Sequence, residues 1–130
     1  MLNGIADRLA YYMDLLSARQ KLVASNIANA NTPGYQTKDF DFHFEFMSQP
    51  EPGGAPPGAG LPAAKANRLA LAPNVYEVQD LGNKNDGNNV SLDREVRLLA
   101  ENGARFNVAA NLWKAQLRAI KTAIQESKNA

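Results

Sequence analysis

Helical periodicity marks both ends of the chain and is missing between them. In residues 3–30, Ile5, Leu9, Tyr12, Leu16 and Val23 follow steps of four and three, with Arg19 standing in the one missing position. Leu15, Leu22 and Ile27 widen this stripe, while Asp7, Asp14 and Lys21 fall on the opposite side. That is the pattern of a helix with one buried face. Asn3 is placed to cap it, and Asp7 lies near the positive end of the helix dipole. Such a helix is about 40 Å long at 1.5 Å per residue.

The second periodic stretch opens at Ser91, an N-cap residue, with Asp93 and Glu95 in the first turn. Leu92, Val96, Leu99, Gly103, Phe106, Ala110, Trp113, Leu117, Ile120 and Ile124 then alternate by four and three without a slip. Heptad spacing of this extent predicts a helix of about 50 Å with a left-handed coiled-coil partner. The phase survives Asn102-Gly103, so the helix is expected to continue there, although glycine costs about 1 kcal/mol relative to alanine. Lys114, Arg118, Lys121 and Lys128 gather toward the C-terminal end, as the dipole favours. Beyond Arg105 a second line of Val108, Leu112, Ala115 and Ala119 lies away from the seam. Alanine forms helix on any face, but a helix apolar on two opposed faces is normally buried on both, so this line is expected to meet other chains. The shortest pairing of the two arms is antiparallel: one runs out, the middle folds back, the other returns.

Between the arms the period changes. Phe40, Phe42, Phe44 and Phe46 alternate with Asp39, Asp41, His43 and Glu45, which predicts a strand over 39–46 with one aromatic and one polar face. The polar face raises the idea of a metal or acid–base site. His43 has no second histidine or cysteine to join it, and a half-exposed strand shows polar residues on its wet side in any case. Residues 48–62 hold most of the prolines and read as a linker. Residues 63–72 offer a helical turn or two, 75–78 a short strand, and 80–89 a turn-forming run of Gly, Asn and Asp. Asp86-Gly87-Asn88 is a fragment of a calcium loop without its spaced ligands or closing glutamate, so it reads as a turn.

Composition removes several classes. A formal charge of +1, from 14 basic and 13 acidic residues, supplies no field to recruit nucleic acid or an anionic membrane. The absence of cysteine excludes disulfides, zinc–thiolate sites and thiol nucleophiles. No window approaches the roughly 20 apolar residues of a membrane span, and the first ten residues lack the pattern of a cleaved signal. No nucleophile–base pair or phosphate-binding loop emerges, so no enzyme and no cofactor is expected.

The end of the first helix is the most specific stretch. Thr32 precedes a proline and is pushed out of the helical region, Pro33 presets the first corner of a turn, and Gly34 can take the positive φ of the second. Asn26, Asn29 and Asn31 crowd this end, where amides can reach the last unpaired carbonyls or a neighbouring chain. The string Ser25-Asn26-Ile27-Ala28-Asn29-Ala30-Asn31-Thr32-Pro33-Gly34-Tyr35 closely resembles the N-terminal signature of the bacterial flagellar rod and hook axial proteins. Asp86-Gly87-Asn88-Asn89-Val90-Ser91-Leu92-Asp93-Arg94-Glu95 resembles the segment opening the C-terminal helix of a proximal rod protein. Asp-Phe-Asp-Phe after the signature also resembles members in which a short helix follows, which leaves a helix over the phenylalanines as the alternative to a strand.

The resemblance implies a structural subunit of the basal-body rod, exported by the flagellar type III apparatus without a cleaved signal and located in the periplasmic space. Its implied partners are FlgC, FlgF, FliE and the MS ring, with no nucleic acid and no direct membrane insertion. The alternatives are a sister position in the same machine, such as that of FlgC, or a cytoplasmic coiled-coil adaptor or export chaperone. The expected fold is mostly α: long N- and C-terminal helices paired as an antiparallel coiled-coil hairpin, with an irregular, partly β, Pro/Gly-rich middle segment. The divisions are residues 1–35, 36–90 and 91–130. The hairpin seam is read as Ile5, Leu9, Tyr12, Leu16 and Val23 against Leu92, Val96, Leu99, Phe106, Trp113, Leu117, Ile120 and Ile124.

Overall fold

The computed structural model describes residues 3–48 and 73–129. The linker read at 48–62 (Ser48 apart) and the helical turns read at 63–72 fall outside the described residues. Two long helices carry the fold: α1, Asn3–Ala28, and α3, Leu92–Asn129. The second has 38 residues and is about 57 Å long, continuous through Gly103. They run antiparallel. Asn26 of α1 meets Glu95 near the start of α3, Gln20 meets Asn102, and Ile5 and Leu9 share a groove with Val108 and Leu112. The last turns, residues 121–129, are exposed on every side.

Leu15, Leu16 and Val23 of α1 and Leu98 and Ala109 of α3 are buried, together with Ala30, Phe40 and Val90. Full burial of a Val, Leu or Phe side chain stabilises by about 1.5–3 kcal/mol. On α3 the buried residues are Glu95, Leu98, Asn102 and Ala109. The seam read from the sequence needs correcting here. Leu92, Val96, Leu99, Phe106, Leu117 and Ile124 stand exposed, Ala110, Trp113 and Ile120 half-buried. On α1, Leu16 and Val23 are buried, Leu9 and Tyr12 half-buried, and Ile5 exposed. The line that faces α1 contains two buried polar residues, Glu95 and Asn102, so a search for unbroken apolarity picks the neighbouring stripe. A straight helix drifts about 20° per heptad against a strict heptad repeat, which brings stripe and line together only toward Trp113 and Ile120.

The alternating phenylalanines form a helix, not the strand their period suggested. α2, Phe42–Met47, is capped by Asp41, whose side chain accepts from the Phe44 N–H at 3.0 Å. Phe42 and Phe46, one turn apart, then point together at α1, where Tyr12 meets both edge-on at 5.2 and 5.4 Å. Tyr11 stacks on Phe46, and its hydroxyl donates to the Glu45 carbonyl. Phe44 is left exposed, as is Met47. Strand character survives only as β1, Lys38–Asp39, paired antiparallel with β2, Tyr76–Glu77, in the register Lys38 to Glu77 and Asp39 to Tyr76.

Candidate assembly surface and the corner that positions it

The signature string folds as the joint of the molecule. Gly34 has φ +75°, and the Tyr35 N–H donates to the Thr32 carbonyl at 3.2 Å, the geometry of a type II turn. Asn26, at the end of α1, is 1% exposed with every amide position used. Its Nδ2 donates to the Lys38 carbonyl (2.9 Å) and to Glu95 Oε2 (3.2 Å); its Oδ1 accepts from the Lys38 N–H and the Tyr35 hydroxyl, both at 3.0 Å. The side chain thus pairs with both main-chain groups of Lys38 as a neighbouring strand would. Asn29 turns back onto the Ser25 carbonyl, and Thr32 Oγ1 is 3.1 Å from Asn29 Oδ1. Ser25 Oγ lies 3.4 Å from the Tyr35 hydroxyl. Ala30 is buried, Ile27 half-buried, and Ala28, Asn31, Thr32, Pro33 and Gly34 face outward.

Residues just before α3 close the joint. Asn88, fully buried, donates through Nδ2 to the Asn29 and Thr32 carbonyls, both at 2.8 Å, and its Oδ1 accepts from the Val90 N–H. Both carbonyls lie in the turn beyond α1, where each also accepts a main-chain N–H, from Thr32 and Tyr35 respectively. Asn89 Oδ1 accepts from the Thr37 N–H at 2.6 Å, and Nδ2 donates to the Val78 carbonyl. The Gly34 N–H donates to the Asp86 carbonyl at 2.9 Å, and Lys84 Nζ reaches the Ala30 carbonyl. Gly87 turns this segment with φ +84°. Ser91 then caps α3, accepting from the Arg94 N–H.

A charged ladder braces the inner side. Arg19 grips Asp39 through Nε and Nη2 at 3.2 and 3.0 Å; Arg94 bonds Asp39 at 2.8 Å and Glu95 at 2.6 Å. The carboxylates are 6% and 0% exposed, and the two arginines supply the charges that offset them on burial. Arg19, read as a gap in the α1 stripe, is thereby a tether for β1. Sequence reading missed Asn88, Asn89 and this ladder. The available signal was the pairing of an arginine inside an apolar stripe with isolated acids at 39 and 95.

Outside the joint, α3 shows apolar surface on both flanks of its α1-facing line. Leu92, Val96, Leu99, Phe106, Leu117 and Ile124 lie on one flank, Val108 and Leu112 on the other with the exposed Ala115 and Ala119. The second flank borders a groove of about 650 Å³ whose floor includes Ile5, Leu9, Tyr12, Phe46 and Ala109. His43 is exposed on α2, and among the described residues no group of three His, Asp or Glu side chains is placed to hold a metal ion. Among the same residues no helix is long and apolar enough to cross a membrane.

Comparison with known proteins adds identity to this geometry. The family described as flagella basal body rod protein matches residues 13–36, the second half of α1 and the signature turn. The flagellar basal body rod protein FlgB of Salmonella typhimurium is 32% identical over 122 residues, covering 87% of each chain. FlgB of Escherichia coli K12 is 31% identical over 121 residues, again 87% of each chain. FlgB of Cereibacter sphaeroides is 30% identical over 133 residues, 95% of this chain and 98% of that one. The two ends that carry the resemblance are the two that the joint brings together, and the chain belongs to the FlgB family, the structural rod subunits of the flagellar basal body.

Proposed function

We propose that the chain forms a wall segment of the proximal rod: a hairpin locked at its joint and completed along α3 by neighbouring subunits. The observation that carries this reading is the apolar surface α3 leaves open, with Val96 55%, Leu117 40%, Val108 60% and Leu112 53% exposed. Helix faces of this kind need cover. Contacts between subunits would be heterologous, so they continue into a helical tube and do not close on themselves. The joint would fix the angle at which residues 36–90 leave the wall. Neighbours expected from the family are FlgC and FlgF in the rod, with FliE and the MS ring at its base, reached in the periplasmic space after type III export. No chemistry is assigned to any residue, and torque would pass through packed surfaces.

Ala115→Glu and Leu117→Glu test one flank each. Both positions are exposed, so the free chain keeps its helicity. A charge forced into an apolar contact should lower recovery of each variant with basal bodies stripped of hook and filament by about tenfold or more. Recovery of both variants at the parent's level would overturn the reading.

A further inference from the structure

Ile5 and Leu9 share a groove with Val108 and Leu112, and beyond it Leu117 and Ile124 of α3 stand 40% and 52% exposed. Beside them runs a row of exposed lysines, Lys114, Lys121 and Lys128. We infer that in the rod this row lies against an amphipathic helix of a different polypeptide, one that carries Asp or Glu at seven-residue intervals along its edge. The inference rests on reading the open flanks of α3 as assembly surface.

With Leu117 and Ile124 at heptad position a and Trp113 and Ile120 at d, the lysines hold position e in three successive repeats. Residues at e form the charge pairs between helices that set partner choice. At 100° per residue the half-buried Trp113 and Ile120 come first going round from α1, then the exposed Leu117 and Ile124, then the lysines. A helix laid over Leu117 and Ile124 therefore meets the lysines at its rim and leaves Trp113 and Ile120 as they are.

The helix dipole does not account for the row. Its pull is confined to the last turn, where Lys128 alone sits, and Lys121 and Lys114 lie more than two turns before Asn129. Local pairing does not account for it either. Arg118 is four residues after Lys114 and three before Lys121, and like charges at these spacings work against a lone helix. Glu126, the only acid after Trp113, is five residues from Lys121 and two from Lys128, off the spacings that bring helix neighbours together. Among the described residues no carboxylate pairs with Lys114, Arg118, Lys121 or Lys128.

Nor does a second copy answer the row. Its same stretch of α3 offers lysine at e and Ala109, Gln116 and Ala123 at g, none of them acidic. Farther back on the e line, Asp93 is followed by Ala100 and Asn107. On α1 the acids Asp7 and Asp14 are seven apart, but Lys21 continues their line, so in either direction one lysine of three would face another. The row thus favours an unlike neighbour at this face over another copy of the chain.

Purified basal bodies carrying the parent chain are treated with a water-soluble carbodiimide, which joins an amine to a carboxylate where the two already touch, and the products are mapped by mass spectrometry. The expected result is an amide bond from Lys114 or Lys121 to an Asp or Glu of another polypeptide that has a second carboxylate seven residues away. Two double variants test the charge: Lys114→Glu with Lys121→Glu should lower recovery with basal bodies by about tenfold, and Lys114→Arg with Lys121→Arg should hold it at the parent's level. Bonds from these lysines only to this chain's own sequence, no bond at all, or undiminished recovery of the glutamate pair would each overturn the inference. Leu117→Glu separates it from the reading beneath it. Loss of Leu117→Glu with full recovery of the glutamate pair overturns the acidic neighbour alone, whereas full recovery of both overturns the assembly surface as well.

Discussion

Asn26 occupies a position where a buried side chain has to serve as backbone. Its amide answers the N–H and the carbonyl of Lys38, and it also holds Glu95 and Tyr35. Alanine would leave a main-chain donor, a main-chain acceptor and a buried carboxylate short of partners, so Asn26→Ala should destabilise by about 2–4 kcal/mol. Asn31→Ala, in the same string but exposed, should stay within about 0.5 kcal/mol of the parent. Urea denaturation of the two variants measures the contrast. That asparagines near a helix end serve carbonyls and turns was legible in the sequence. Which asparagine serves which group was not, because Asn88 and Asn89 reach Asn29, Thr32 and Thr37 from more than 50 residues away.

At the scale of elements, the boundaries of α1 and α3, the Ser91 cap and the turn at Thr32 to Tyr35 follow from local signals. Helix period, capping and the Pro-Gly pair all act within a few residues. Two elements depended on something farther off. The phenylalanines alternate as a strand would, but Tyr11 and Tyr12 supply an aromatic surface that rewards Phe42 and Phe46 one turn apart, and Asp41 supplies the start of a helix. Likewise, the α1-facing line of α3 is hidden by Glu95 and Asn102, polar residues whose partners Asn26, Arg94 and Gln20 satisfy them on burial. If Asp41 is what turns the alternating run into α2, Asp41→Ala should cost about 1 kcal/mol locally and speed amide exchange over residues 42–48 about fivefold. Exchange in α1 should be unaffected, and hydrogen-exchange mass spectrometry reads both.

The whole molecule divides into a part that is finished and a part that is not. Its joint draws Asn26, Asn88, Asn89 and the ladder from Arg19 to Glu95 into a hydrogen-bonded unit that needs no other chain. Along α3 the reverse holds, with Val108, Leu112, Leu117 and Ile124 all 40% exposed or more. In the proposed rod packing the two would have separate uses: the joint would set the angle of the hairpin, and the open faces of α3 would make the wall. The most direct measurement places a single cysteine at Val108, on the flank of α3 that borders the open groove, and compares maleimide labelling of the free chain with that of purified basal bodies. The account predicts ready labelling of the free chain and protection of about tenfold or more in the rod. Equal labelling rates in the two states would contradict it.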